Sequence, residues 1–93
     1  MLKNIAYSKH SLVKIHIKIH IINSHGFYIS REMIEQAMRQ PDTIEKGHKG
    51  RFIAQCVYDD NHVLRVVYEE HVDKLYVITV YPGRRKRYDK NTI

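Results

Sequence analysis

Towards the end of the chain Arg84, Arg85, Lys86 and Arg87 follow one another without a break, and Tyr88 comes next. Consecutive cations attract a polyanion, and a flat ring beside them can stack on a base. The run, with Tyr81 just upstream, therefore has the make-up of a nucleic-acid contact. The plainer alternative is a solvated, frayed terminus. Arg65 is the second residue whose chemistry stands out, because it lies between Leu64 and Val66 in an apolar run. A guanidinium there must reach a carboxylate such as Glu69, or face an open surface where it can grip a phosphate with two N–H groups. His16 and His20 have the i, i+4 spacing of paired metal ligands on a helix, but no third ligand stands at a defined distance, so no metal is expected. His10, His25, His48, His62 and His71 each stand singly at expected loops or element ends. The chain has no phosphate-cradling glycine loop, no nucleophile elbow and no pair of cysteines.

Charge is placed unevenly along the 93 residues, whose net charge is +6. Residues 1–31 carry five basic side chains and no acid, residues 32–83 hold nine acids against six bases, and residues 84–93 hold five bases against Asp89. Both ends are basic around an acidic middle, which suits an anionic partner such as RNA. The length allows one domain with a single core, over residues 1–93. No apolar run approaches the roughly 20 residues that span a bilayer, so no membrane partner is expected. The first residues lack the apolar block of an export signal, and the single cysteine, Cys56, allows no internal disulfide, so a cytoplasmic address is expected.

These residues must be positioned by a small set of elements. Residues 2–7 are expected to form a short strand. From Leu12 to Ile22 two patterns compete: Val13, Ile15, Ile17, Ile19 and Ile21 alternate with polar residues as in a strand, while Leu12, Ile15, Ile19 and Ile22 also make one stripe of a helix. A helix here would leave Ile17 and Ile21 on its far side, where a partner or further burial would have to cover them. Gly26 is placed to end it. A second helix is expected from Ser30 as N-cap, with Glu32 in its first turn, Ile29 stapled to Ile34, and Pro41 stopping it by Gln40. Runs at 52–58, 63–69 and 75–81 then read as an antiparallel meander. Period-2 alternation puts Phe52, Ala54, Cys56, Tyr58, Leu64, Val66, Tyr68, Tyr76, Ile78 and Val80 on the face towards the helices. It puts Gln55, Arg65 and Thr79 on the other face, the candidate ligand surface, among Ile53, Val57, Val63, Val67, Leu75 and Val77.

Tyr7 to Leu12, Gly26 to Ser30, Gln40-Pro41-Asp42, Lys49-Gly50-Arg51, Val63 to Tyr68 and Thr79 to Tyr88 together resemble a family of small prokaryotic proteins related in design to RelE/ParE/BrnT-type toxins. The resemblance implies an α+β fold: a short N-terminal strand, a two-helix hairpin, and an antiparallel β-meander packed on the helices. It also implies that Leu12 to Ile22 is helical, lengthened by about one turn through the near repeat of Lys14 to Ile17 in Lys18 to Ile21, an insertion that keeps the helix in phase.

In RelE-like ribonucleases such a sheet binds RNA and cleaves it without metal or cofactor. Carried over by motif, Arg65 and Arg85 would hold the scissile phosphate, Tyr88 or His10 would transfer protons, and Arg51 or Arg84 would support the backbone. Gln55, Thr79, Tyr81, Lys86 and Arg87 would complete the RNA surface. As a base, Tyr88 would need neighbouring cations to bring it down from its ordinary value near 10. The expected partners are RNA, ribosome-associated in the toxin-like case, an antitoxin protein, or a second copy in a homodimer. The alternative is a binding module of the same fold that grips RNA or a protein without catalysis.

Overall fold

A computed structural model describes residues 3–88. It is an α+β fold in which a five-stranded mixed sheet packs on two helices. Strand β1 (Asn4–Ala6) leads into α1 (Lys9–Ser24) and α2 (Arg31–Arg39). Strands β2 (Thr43–Lys46), β3 (Arg51–Val57), β4 (His62–Glu70) and β5 (Lys74–Arg84) follow, and a single helical turn, α3 (Arg85–Tyr88), closes the described chain. The strand order is β1-β5-β4-β3-β2, with β1 parallel to β5 and every other pair antiparallel.

Helix wins over strand in the contested stretch because only the 3-4 stripe has a sheet to pack on. Ile15 and Ile22 are buried, Ile19 packs against the same core, and α1 lies on β5. Val13, Ile17 and Ile21 point the other way and stay more than half exposed. Ser8 caps the start by accepting a hydrogen bond from the Ser11 N–H at 3.0 Å, and Gly26, at φ +96°, takes the left-handed conformation that turns the chain out of the helix. Helix α2 matches its expected signals. Ser30 accepts from the Met33 N–H, Ile29 and Ile34 are buried in one cluster, and the helix ends at Arg39, ahead of Pro41.

Two features depart from expectation, and both bear on the polar face. Strand β2 was not foreseen; it adds an edge to the meander, pairing Thr43 with Gln55 and Glu45 with Ile53. The second is a bulge in β5. Val67 pairs with Thr79 but Tyr68 pairs with Val77, so Ile78 has no opposite number and the alternation of β5 flips there. Val77 and Leu75, expected on the open face, therefore join the helix-side core, and Val77 is fully buried. Tyr76 turns to the open side, where its ring lies edge-on to His71 at 4.7 Å. Beyond the bulge the expected faces hold: Ala54, Leu64, Val66 and Val80 are in the core with the helices.

Candidate nucleic-acid interface

The pairings align Thr43, Gln55, Arg65 and Tyr81 in one row across β2, β3, β4 and β5, and Glu45, Ile53, Val67 and Thr79 in the next. Side chains in both rows share the sheet face that points away from the helices. At their centre Arg65 is only 4% exposed. Its Nε donates to the Tyr81 hydroxyl at 2.9 Å, one terminal nitrogen donates to the Gln55 side-chain oxygen, and the other to the Glu45 carboxylate. Burial opposes the charge, but the hydrogen bonds to Tyr81 and Glu45 outweigh it and hold the Arg65 pKa above its ordinary value. Among the described residues no buried side-chain polar atom lacks a partner.

The carboxylate that Arg65 reaches is thus Glu45 and not Glu69. Residues four apart on one strand share a face but lie roughly 13 Å apart, and Glu69 sits directly across from Arg51, whose Nε meets it at 3.2 Å. That contact, with His71 nearby, keeps the Glu69 carboxyl below its usual range. Glu45 escaped the sequence reading because its strand did. The signal was Thr43-Ile44-Glu45-Lys46, a short alternating stretch with β-branched residues after Pro41.

The tail folds back onto this face. The Arg85 N–H donates to the Asn61 carbonyl at 2.8 Å, tying the start of α3 to the β3–β4 turn, and α3 contacts β4 and β5. The Tyr88 ring then lies over the Arg65 guanidinium, 4.0 Å from its carbon to the ring centroid. The ring also fills the space above Gly83. A Cβ at that position would stand 2.9 Å from Tyr88 Cδ2 and nearer still to Cε2, so any larger residue would collide with it. Val63, paired with Gly83, is 2% exposed although it belongs to the open face, which fits its being roofed by the tail. The expectation that the tail is ordered through Tyr88 agrees with this arrangement; its other half, that Asp89 to Ile93 hang free, lies outside the described residues.

Lys18 completes the cluster and was not foreseen. Strand β1 covers β5 only at Lys74 to Tyr76, and past that edge Lys18 reaches from α1 to the Thr79 hydroxyl at 3.0 Å, 5.8 Å from the Tyr81 ring. Its signal was position: three residues after Ile15 and four before Ile22, it borders the buried stripe and is half-buried. Arg84, Lys86 and Arg87 stay exposed, and the Arg87 guanidinium stands 5.9 Å from the Tyr88 ring centroid.

Other expected site residues stand apart. His10 lies exposed in the first turn of α1, and its side chain makes no hydrogen bond, ion pair or ring contact with any described residue. Arg51 is four residues along β3 from the Gln55–Arg65 row and is held by Glu69. His16 and His20 are exposed on α1, and no group of three metal-ligating side chains gathers among the described residues. On the helix side a cavity of about 410 Å³ opens between α2 and the sheet, lined by Glu32, Met33, Gln36, Cys56, Tyr58 and Leu64, and burial pushes the Cys56 thiol up. It holds none of the expected site residues.

Fold and face together define a small α+β domain with a tyrosine-bearing polar sheet surface edged by cations. Residues 27–82 match the model of a domain of unknown function, DUF4258, and the chain belongs to that family. The matched stretch contains Glu45, Gln55, Arg65, Thr79 and Tyr81, while Lys18 and the tail from Gly83 lie outside it. No curated protein and no solved structure matches the chain. No helix among the described residues is long and apolar enough to cross a membrane.

Proposed function

We propose that the protein is an RNA-binding domain of RelE-like design that holds a single strand against the tail and the open face of β4 and β5. The observation that carries this reading is the Tyr88 ring, seated on Arg65 at 4.0 Å with the Arg87 guanidinium 5.9 Å from its centroid and Arg84 and Lys86 exposed in the same tail. Stacking platforms tolerate any base, and cations beside them neutralise phosphates, which is how unspecific single-strand binders work. Arg65 serves here as a buried hub: three of its N–H groups are committed to Tyr81, Gln55 and Glu45, so it aims the rings and leaves phosphate to the tail.

The test is fluorescence anisotropy with a short unstructured RNA at two salt concentrations. Wild-type affinity falls steeply with salt, and replacing Arg84, Lys86 and Arg87 together by alanine weakens binding and flattens the salt slope by about 2, since each lost phosphate contact on a single strand removes about 0.7. An unchanged slope would sink the reading.

Metal-independent cleavage is a second reading, favoured by the presence of Tyr88 beside Arg65 in the same cluster. Binding ranks ahead of it because His10, the other candidate for proton transfer, lies elsewhere. Cleavage predicts 2′,3′-cyclic phosphate ends with wild type and none with Tyr88→Phe, together with slowed growth on expression that Arg85→Ala with Tyr88→Phe relieves. RNA that is bound and left intact removes cleavage and keeps the binding domain.

A further inference from the structure

The outer face of α1 has no role in the RNA surface, and its composition is specific. Val13, Ile17 and Ile21 recur every four residues and are 59%, 56% and 52% exposed. They form one ridge opposite the buried Ile15–Ile22 stripe, of the kind that packs into the groove of another helix. Lys9, His16 and His20 border the ridge on one side and Lys14 on the other, all exposed, and α1 contains no acidic residue. We propose that this ridge docks an amphipathic helix of a partner protein whose apolar stripe is flanked by glutamate and aspartate.

Area and charge together select that occupant. Three half-exposed aliphatic side chains offer on the order of a few hundred Å² of apolar surface, short of the roughly 800 Å² per partner of a stable complex, so the flanks must take part in the contact. A second copy would bring the same lysines against these lysines, without one carboxylate on either helix. A membrane surface is a poorer match, because interfacial helices bury a broad apolar face with aromatic anchors, whereas this one is a single aliphatic row. An acidic-flanked helix supplies both the apolar ridge and the missing countercharge.

The probe is a synthetic helical peptide with a leucine stripe and glutamate flanks, compared with a lysine-flanked counterpart, titrated into the full chain. The glutamate peptide binds and the lysine peptide does not. Val13→Ser, Ile17→Ser and Ile21→Ser combined weaken binding about tenfold or more, with the circular-dichroism spectrum retained. Should that variant misfold, Lys14→Glu keeps the ridge intact, and it weakens the glutamate peptide while admitting the lysine peptide. Failure of the glutamate peptide to bind, or binding indifferent to these substitutions, overturns the proposal. It is overturned equally if the ridge substitutions instead abolish self-association in sedimentation or adsorption to phosphatidylserine vesicles. The alanine-substituted tail that tests RNA binding leaves peptide binding unchanged, so the two proposals fail separately.

Discussion

Arg65 decides how the residues of the open face work. A buried guanidinium is tolerated only if its N–H groups are matched, and Glu45, Gln55 and Tyr81 match them from the three other strands of its row and the one beside it. The ring of Tyr88 closes the remaining side because residue 83 carries no Cβ. Gly83→Ala therefore evicts Tyr88 while leaving the Arg65 hydrogen bonds in place. RNA affinity is expected to fall about tenfold, since one stacked base is worth about 1–3 kcal/mol, with little change in the urea midpoint. Anisotropy and urea denaturation on the same sample check this; undiminished affinity would show that the ring is not part of the RNA contact.

At the scale of elements, α1 and β5 show how sequence pattern and tertiary setting compete. Helix α1 carries apolar residues on both sides, and the sheet takes only one of them. Ile15→Ala is expected to cost about 2–5 kcal/mol, because it opens a cavity against β5. Ile17→Ala, two positions along on the exposed ridge, should stay within about 0.5 kcal/mol. Equal losses in chemical denaturation would contradict the facing of the helix. In β5 the bulge at Ile78 lets Val77 and Val80 both reach the core while Thr79 and Tyr81 remain on the polar face, so one strand serves both layers.

Whole-molecule stability is linked to proton release at the junction between β1 and α2. Tyr7 donates to Glu35 at 3.0 Å beneath the Arg31 guanidinium, which stands 4.4 Å from its ring. Its pKa is pushed up from 10.0 to about 12, chiefly by burial; Arg31 works against the rise and Glu35 adds to it. Between those values the unfolded chain has released this proton and the folded chain still holds it, so the stability tied to the neutral phenol is complete below pH 10 and is lost as the pH climbs towards 12. Tyr7→Phe is expected to make stability fall less steeply across that window, as measured by denaturant unfolding at several alkaline pH values. A residual slope should remain, because burial also raises Tyr68. An identical slope in the two proteins would mean that Tyr7 titrates as it does in the unfolded chain.

The sequence by itself determined the local units. Ser30, Glu32 and Pro41 bound α2, Gly26 ends α1, alternating runs with short links make the meander, and a glycine followed by cations and Tyr88 marks the tail as chemically distinct. These signals are short-ranged, each resting on a cap, a backbone preference or a period. Tertiary structure decided which side of α1 is buried, where β5 changes phase, and that Glu45 on an unforeseen edge strand, rather than Glu69, neutralises Arg65. It also brought Lys18 to Thr79 and Tyr88 to Arg65 while leaving His10 apart. The physical reason is that register and cross-strand neighbours depend on pairings between distant segments. A single unpaired residue such as Ile78 then puts the two ends of its strand out of phase, so that Leu75, Tyr76 and Val77 take the opposite faces from those that unbroken alternation assigns.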